Sequence, residues 1–130
     1  MYGGSTSVGF YAIQLAKLLG YKVVTACSPR NFDIVKKYGA DAAFDYRNVD
    51  ECVKNIRDVS GGGVDAAIDC VSEGTSQTIA IQSFNDKQGH QLNILLFPDA
   101  EAQKLRPDVK IVGTLLYTVW GKVSNRICRG

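Results

Sequence analysis

Apolar and polar positions along this chain alternate between two periods, one near 3.6 residues and one near 2. Val8, Ala12, Leu15, Ala16 and Leu19 recur at three- and four-residue spacing, Gln14 and Lys17 fall outside that stripe, and Gly20 follows as a stop, so the spacing predicts a helix from Val8 to Leu19. Tyr21 to Cys27 is a run of strand length, rich in β-branched residues, that ends at the turn signal Ser28-Pro29. The same periodicities predict a short helix over Asn31 to Tyr38 ended by Gly39, a strand over Ala42 to Asp45, and an amphipathic helix over Val49 to Val59.

After the turn Ser60-Gly61-Gly62-Gly63 the scheme repeats. Val64 to Val71 reads as a buried strand, Thr75 to Phe84 as a helix, Gln91 to Leu96 as a strand and Val109 to Leu116 as a last strand. Phe97 to Pro107 lies between two prolines and carries a short helix over Ala100 to Leu105. Strands separated by helices of this length predict an α/β fold, an open Rossmann-type parallel sheet with helices on both faces.

What precedes the first helix changes the picture from fold to ligand. Gly3-Gly4-Ser5-Thr6-Ser7-Val8-Gly9 is a glycine-rich turn opening a helix. Glycines let the backbone approach a pyrophosphate, and the free amides and positive dipole of the helix N-terminus favour its charge. Alone, such a turn is also explained by a loop needing positive φ; a turn, a helix and a buried strand in that order favour a nucleotide-binding unit. Only Met1 and Tyr2 precede the turn, so the first strand of the sheet is expected to be largely missing, with its two neighbours left unpaired at their inner edges.

Composition narrows the classes. At 130 residues and 45% hydrophobic, the chain fits one globular domain. A net charge of +2, with basic residues spread along the chain, argues against nucleic acid or a charged membrane as partner. Its apolar stretches fall well short of the ~20 residues of a membrane helix, and no signal pattern opens it, so a cytoplasmic location is the expectation. Cys27, Cys52, Cys70 and Cys128 are scattered, with His90 the only imidazole, so neither zinc spacing nor a disulfide framework is visible. The first three read as buried or half-buried reduced thiols.

The residues past the second predicted strand report on the ribose end of a dinucleotide, where an acid binds a 2′-hydroxyl and basic or hydroxyl groups accept a 2′-phosphate. Cys27-Ser28-Pro29-Arg30-Asn31 contains no acid; Ser28 offers a hydroxyl, Arg30 a guanidinium suited to phosphate, and Asn31 an amide that could instead cap the next helix. NADPH is therefore favoured over NADH, against the alternative of an ordinary turn beside a solvated arginine. Tyr46, at the end of Phe44-Asp45-Tyr46-Arg47, could reach the adenosine phosphate or simply pack at a strand end.

Taken together with Tyr38-Gly39-Ala40-Asp41, Ala67-Ile68-Asp69-Cys70 and Leu96-Phe97-Pro98, these motifs make the chain resemble the cofactor domain of medium-chain dehydrogenase/reductases. Nearer still, it is similar to the fungal trans-acting polyketide enoyl reductases, including the lovastatin enoyl reductase group and toxD-like oxidoreductases. The resemblance covers nearly the whole chain to about Lys122. It implies an NADP-binding Rossmann domain over 1–122, truncated at both ends, and a tail over 123–130 outside the family pattern. It implies that Gly3, Gly4, Ser5, Thr6, Ser7 and Val8 form the pyrophosphate turn, that Ser28, Pro29, Arg30 and Asn31 hold the 2′-phosphate, and that Tyr46 lies against the adenosine. It further implies that Ile94 and Leu95 lie near the nicotinamide, and that Leu115, Leu116, Tyr117, Thr118 and Val119 wall the substrate channel.

The implied activity is NADPH-dependent reduction of a conjugated C=C bond, with an enoyl thioester as substrate and a polyketide synthase as partner acting in trans. A quinone or simple enone reductase is the alternative within enzymes, and a non-catalytic nucleotide-binding fragment the alternative outside them. A methyltransferase on the same fold fits the Ser28 to Asn31 cluster less well. Thr6 departs from the superfamily, standing where a glycine is usual, so a hydroxyl is expected to replace one backbone contact in the turn. No acid-base centre emerges: His90 reads as a surface or packing histidine, Asp69 as a structural carboxylate at a strand end, and the hydride chemistry would belong to the cofactor. The isolated chain is accordingly expected to lack turnover.

Overall fold

A computed structural model describes residues 1–114. Helix α1 (Ser7–Leu18) starts where Thr6, in extended conformation, accepts a hydrogen bond from the Gly9 amide, and it gives way at Gly20, whose φ of +85° suits glycine. Strand β1 (Val24–Ala26) follows, then a short 3-10 turn over Pro29–Asn31 leading into α2 (Phe32–Lys37). Next come β2 (Ala42–Phe44), α3 (Val49–Val59), β3 (Ala67–Asp69), α4 (Ser76–Gln82), β4 (Gln91–Ile94), α5 (Ala100–Leu105) and β5 (Lys110–Gly113). The bounds of α3 and α5 are those the sequence predicts. Asn48 and Asp99 cap them, accepting from the amides of Glu51 and Glu101.

All the ladders are parallel. β1 pairs with β2 (Val24 with Ala42, Ala26 with Phe44), and β4 lies between β3 and β5. The two parts meet through the first two residues of the chain. Tyr2 bridges Ala26 on one side and Asp69 on the other: its amide donates to Ile68, its carbonyl accepts from Cys70, and the Met1 carbonyl accepts from Ala26. The spatial order is therefore β2, β1, Tyr2, β3, β4, β5. The inner edges of β1 and β3 are thus not wholly unpaired; they share one residue's worth of ladder. Both strands are shorter than their apolar runs predict, because β1 faces a three-residue β2 and the inner edge of β3 meets only Tyr2.

Alternation along the strands assigns the layers. Val23, Cys27 and Ala43 pack with Ile13 of α1 and Val35 of α2, whereas Val24, Ala26 and Phe44 pack with Cys52 and Ile56 of α3. Farther along the sheet Leu92 and Ile94 are sealed by Ala80 and Ile81 of α4 and Ala102 of α5. Helices thus cover both faces, and each buried aliphatic side chain contributes about 1.5–3 kcal/mol.

The buried side of α1 differs from the predicted stripe. Gly9 and Ile13 face inward, while Leu15 and Leu19 are 59% and 66% exposed. The rotation is set by Gly9, where a Cβ would stand 2.2 Å from the Gly3 carbonyl oxygen. Only a glycine lets the helix approach the turn that closely, and Ile13 follows one turn later on the same side.

Candidate cofactor site

The turn over Gly3 to Val8 lies at the carboxyl end of the sheet, and its shape comes from three close approaches. Gly3 has a φ of +76°, and a Cβ there would meet Val71 Cγ2 at 2.7 Å. At Gly4 a Cβ would meet Thr25 Oγ1 at 2.2 Å, and the Gly4 amide donates to that same hydroxyl at 3.1 Å. Thr6 Oγ1 donates to the Gly3 carbonyl at 2.8 Å and accepts from the Gly9 amide at 3.0 Å. The Thr6 hydroxyl, expected to stand in for a backbone contact to the pyrophosphate, points inward and closes the turn on itself.

Among the described residues, the amides of Ser5, Ser7 and Val8 donate to no protein acceptor, and the first turn of α1 carries no acidic side chain. Unspent N–H groups beside a positive helix end suit a pyrophosphate. The second phosphate corner lies alongside. Asn31 Nδ2 donates to Ser5 Oγ at 3.1 Å, bringing the glycine turn and the Ser28 to Asn31 corner into direct contact. Asn31 makes no side-chain cap on α2; one N–H of its amide goes to Ser5 and the other meets no acceptor among the described residues. Ser28 is half-buried, whereas Pro29 and Arg30 are exposed, and Arg30 takes part in no ion pair among the described residues.

Tyr46 is half-buried, its ring 5.7 Å from that of Tyr2 and packed into the cluster beneath α3. Strand-end packing is the role visible in this arrangement. Ile94 and Leu95 divide. The Ile94 side chain is fully buried in the core and its carbonyl accepts from the Thr114 amide; Leu95 is half-buried at the strand exit. Leu115, Leu116, Tyr117, Thr118 and Val119 lie outside the described residues.

Two contributors were not apparent from the sequence. Thr25, fully buried, pins Gly4 from the middle of an apolar strand. Ser72 accepts from the Leu95 amide at 2.9 Å. Asp69, the structural carboxylate of the sequence reading, is fully buried and accepts from the amides of Val71 and Ser72 and from the Ser76 hydroxyl at 2.6 Å. His90 is a packing residue: buried, stacked on Phe84 at 4.6 Å and bonded to the Asp65 carbonyl and Asn85.

Burial pushes the thiols of Cys27, Cys52 and Cys70 up to about 11, so all three stay protonated at neutral pH and are poor nucleophiles. All three are free and buried. Burial, then the neighbouring Tyr46, pushes the Tyr2 phenol up to about 12. Among the described residues no helix is long and apolar enough to cross a membrane, and no three His, Cys, Asp or Glu side chains converge as a metal site would require.

An open parallel sheet with a glycine turn, a helix N-terminus and a polar corner at its carboxyl end defines a Rossmann-type cofactor-binding domain. Residues 7–124 match the model of the zinc-binding dehydrogenase family, and the chain belongs to that family, within the medium-chain dehydrogenase/reductase superfamily. The zinc of the family's name has no ligand set among the described residues, so no zinc chemistry is assigned to them. A trans-enoyl reductase of Alternaria alternata, ACTTS2, is 41% identical over 128 residues, covering 98% of this chain and 36% of the relative. The chain therefore spans about a third of the length of the curated relative it matches. Among solved structures, the enoyl reductase cyclopropanase of curacin A biosynthesis superposes with a TM-score of 0.74 at 21% identity, covering 92% of this chain and 36% of that one. A mycobacterial protein solved with NADPH superposes with a TM-score of 0.73 at 23% identity, over 89% of this chain and 38% of that one.

Proposed function

We propose that this chain is the NADPH-binding portion of an oxidoreductase that reduces a conjugated C=C bond, with an enoyl thioester of polyketide biosynthesis as substrate and the synthase as partner in trans. The observation that carries the cofactor reading is the Asn31 to Ser5 hydrogen bond, which sets a guanidinium-bearing, acid-free corner beside a glycine turn with unspent amides. The residues present fit the group: backbone amides of Ser5, Ser7 and Val8 for the pyrophosphate, Ser28, Arg30 and Asn31 for the 2′-phosphate, and the Leu95 exit for the nicotinamide end. The nicotinamide supplies the hydride when bound. The chain's own residues bind and orient it. The substrate class rests on the similarity to the trans-enoyl reductase, and the cytoplasm is the location that this reading takes.

The test is Arg30→Ala in the full chain, with both cofactors titrated by fluorescence. Loss of one charge-assisted contact should weaken NADPH by about 1.5–3 kcal/mol and leave NADH nearly unchanged. Equal loss for both cofactors removes the phosphate role. Turnover of an enoyl thioester against a quinone by the full-length parent separates the two reductase readings.

A further inference from the structure

The turn between β3 and α4 touches both ends of the proposed site. Val71 packs on Gly3, so that a Cβ at Gly3 would stand 2.7 Å from Val71 Cγ2. One residue on, Ser72 accepts a hydrogen bond from the Leu95 amide at 2.9 Å. Ser72 is the one non-glycine described residue with positive φ, at +61°, a conformation that is costly for a side chain with a Cβ. Asp69 holds it there: one carboxylate oxygen accepts from the amides of Val71 and Ser72, both at 2.9 Å, and the other accepts from Ser76 Oγ.

The network is buried. Asp69 and Ser76 are fully covered and Ser72 is 8% exposed, so water does not replace these bonds. Its output is a single backbone atom, the Leu95 amide, at the point where β4 leaves the sheet. The next residues, Leu96 and Phe97, are 39% and 62% exposed. Ile94 is held before Leu95 by the Thr114 amide and Phe97 after it by the buried Gln77 side chain, so the Leu95 bond fixes the backbone between those two anchors, the stretch that the nicotinamide would meet.

We propose that Ser72 is a positioning residue for the nicotinamide half of the site. Its hydroxyl, oriented by Asp69, fixes the Leu95 amide and so the exit of β4, while its neighbour Val71 fixes that exit relative to the pyrophosphate turn. The proposal rests on the cofactor reading above and predicts a division within the ligand: the nicotinamide end depends on Ser72, the adenosine end does not.

The test uses Ser72→Ala and Ser72→Gly in the full chain, titrated with NADPH and, separately, with 2′,5′-ADP, which lacks the nicotinamide half. The glycine variant relieves the positive φ, which the alanine variant keeps, so the pair separates backbone strain from the loss of the hydroxyl. Both variants should bind NADPH roughly fivefold more weakly, the scale of one neutral hydrogen bond, with 2′,5′-ADP unchanged. Amide hydrogen exchange at Leu95 in the ligand-free variants should quicken while Ile94 stays protected. NADPH affinity retained in both variants, equal weakening of both ligands, or unchanged exchange at Leu95 would overturn the proposal. If the unmodified chain binds neither ligand, the cofactor reading fails instead, and Leu95 exchange alone decides whether Ser72 holds the strand exit.

Discussion

Hydroxyl and amide side chains at the mouth of the sheet are spent either on the protein or on whatever enters it. Thr6 is spent inward, closing the turn between Gly3 and Gly9, and Thr25 is spent on the Gly4 amide. Arg30 is left to solvent. Gly9 is the least replaceable of these positions: in Gly9→Ala the new methyl would stand 2.2 Å from the Gly3 oxygen and 2.8 Å from Gly4 backbone atoms, which cannot swing away as a side-chain tip can. Chemical denaturation should show a loss of about 1–3 kcal/mol, the ordinary cost of overpacking, together with weaker cofactor binding. The glycines of the turn were legible in the sequence because their constraint is local. The partnership of Gly4 with Thr25 spans 21 residues, and nothing in the spacing announces it.

Elements tell a similar story of local rules meeting distant contacts. The order of helices and strands was readable because the change of period is a local property, and α3 and α5 fall where the pattern predicts. The buried side of α1 was not, because the stripe Val8, Ala12, Leu15, Ala16, Leu19 is genuine at helical spacing, yet the close approach at Gly9 turns part of it to solvent. One carboxylate ties α1 to the sheet. Asp41, just before β2, accepts from the Val23 amide at 2.7 Å and pairs with Lys17 of α1 at 3.0 Å. The Val23 N–H first, and then Lys17, hold its carboxyl below the usual range. A lowered folded value means that the stabilisation is fully present above the unfolded pKa of about 3.9 and is lost as pH falls through the folded value. Thermal melts should therefore find Asp41→Asn less stable than the unmodified chain at neutral pH, with the gap closing below about pH 4. A gap independent of pH would mean that the ion pair and the amide contact carry no charge-dependent stability.

For the whole molecule, a parallel sheet covered by helices on both faces could be anticipated and the strand lengths could not, because a ladder is only as long as its shorter partner. Between β1 and β3 the partner is Tyr2, beside a small apolar cavity lined by Met1, Ile56, Val64, Ala67 and Ile79. The Met1 amine is buried there, donating to the Val24 carbonyl at 2.7 Å, and burial lowers its pKa.

The junction at Tyr2 has a mechanical consequence. The described backbone ladder crosses from β1 to β3 through Met1 to Gly3 alone, much as two boards might share one hinge pin, with α3 and its neighbours over one face of the joint and Met1 packed against the α1 cluster on the other. Ser5 sits on one board and Leu95 on the other. A ligand long enough to rest on both would brace the joint, so that its binding energy doubles as resistance to the boards swinging apart.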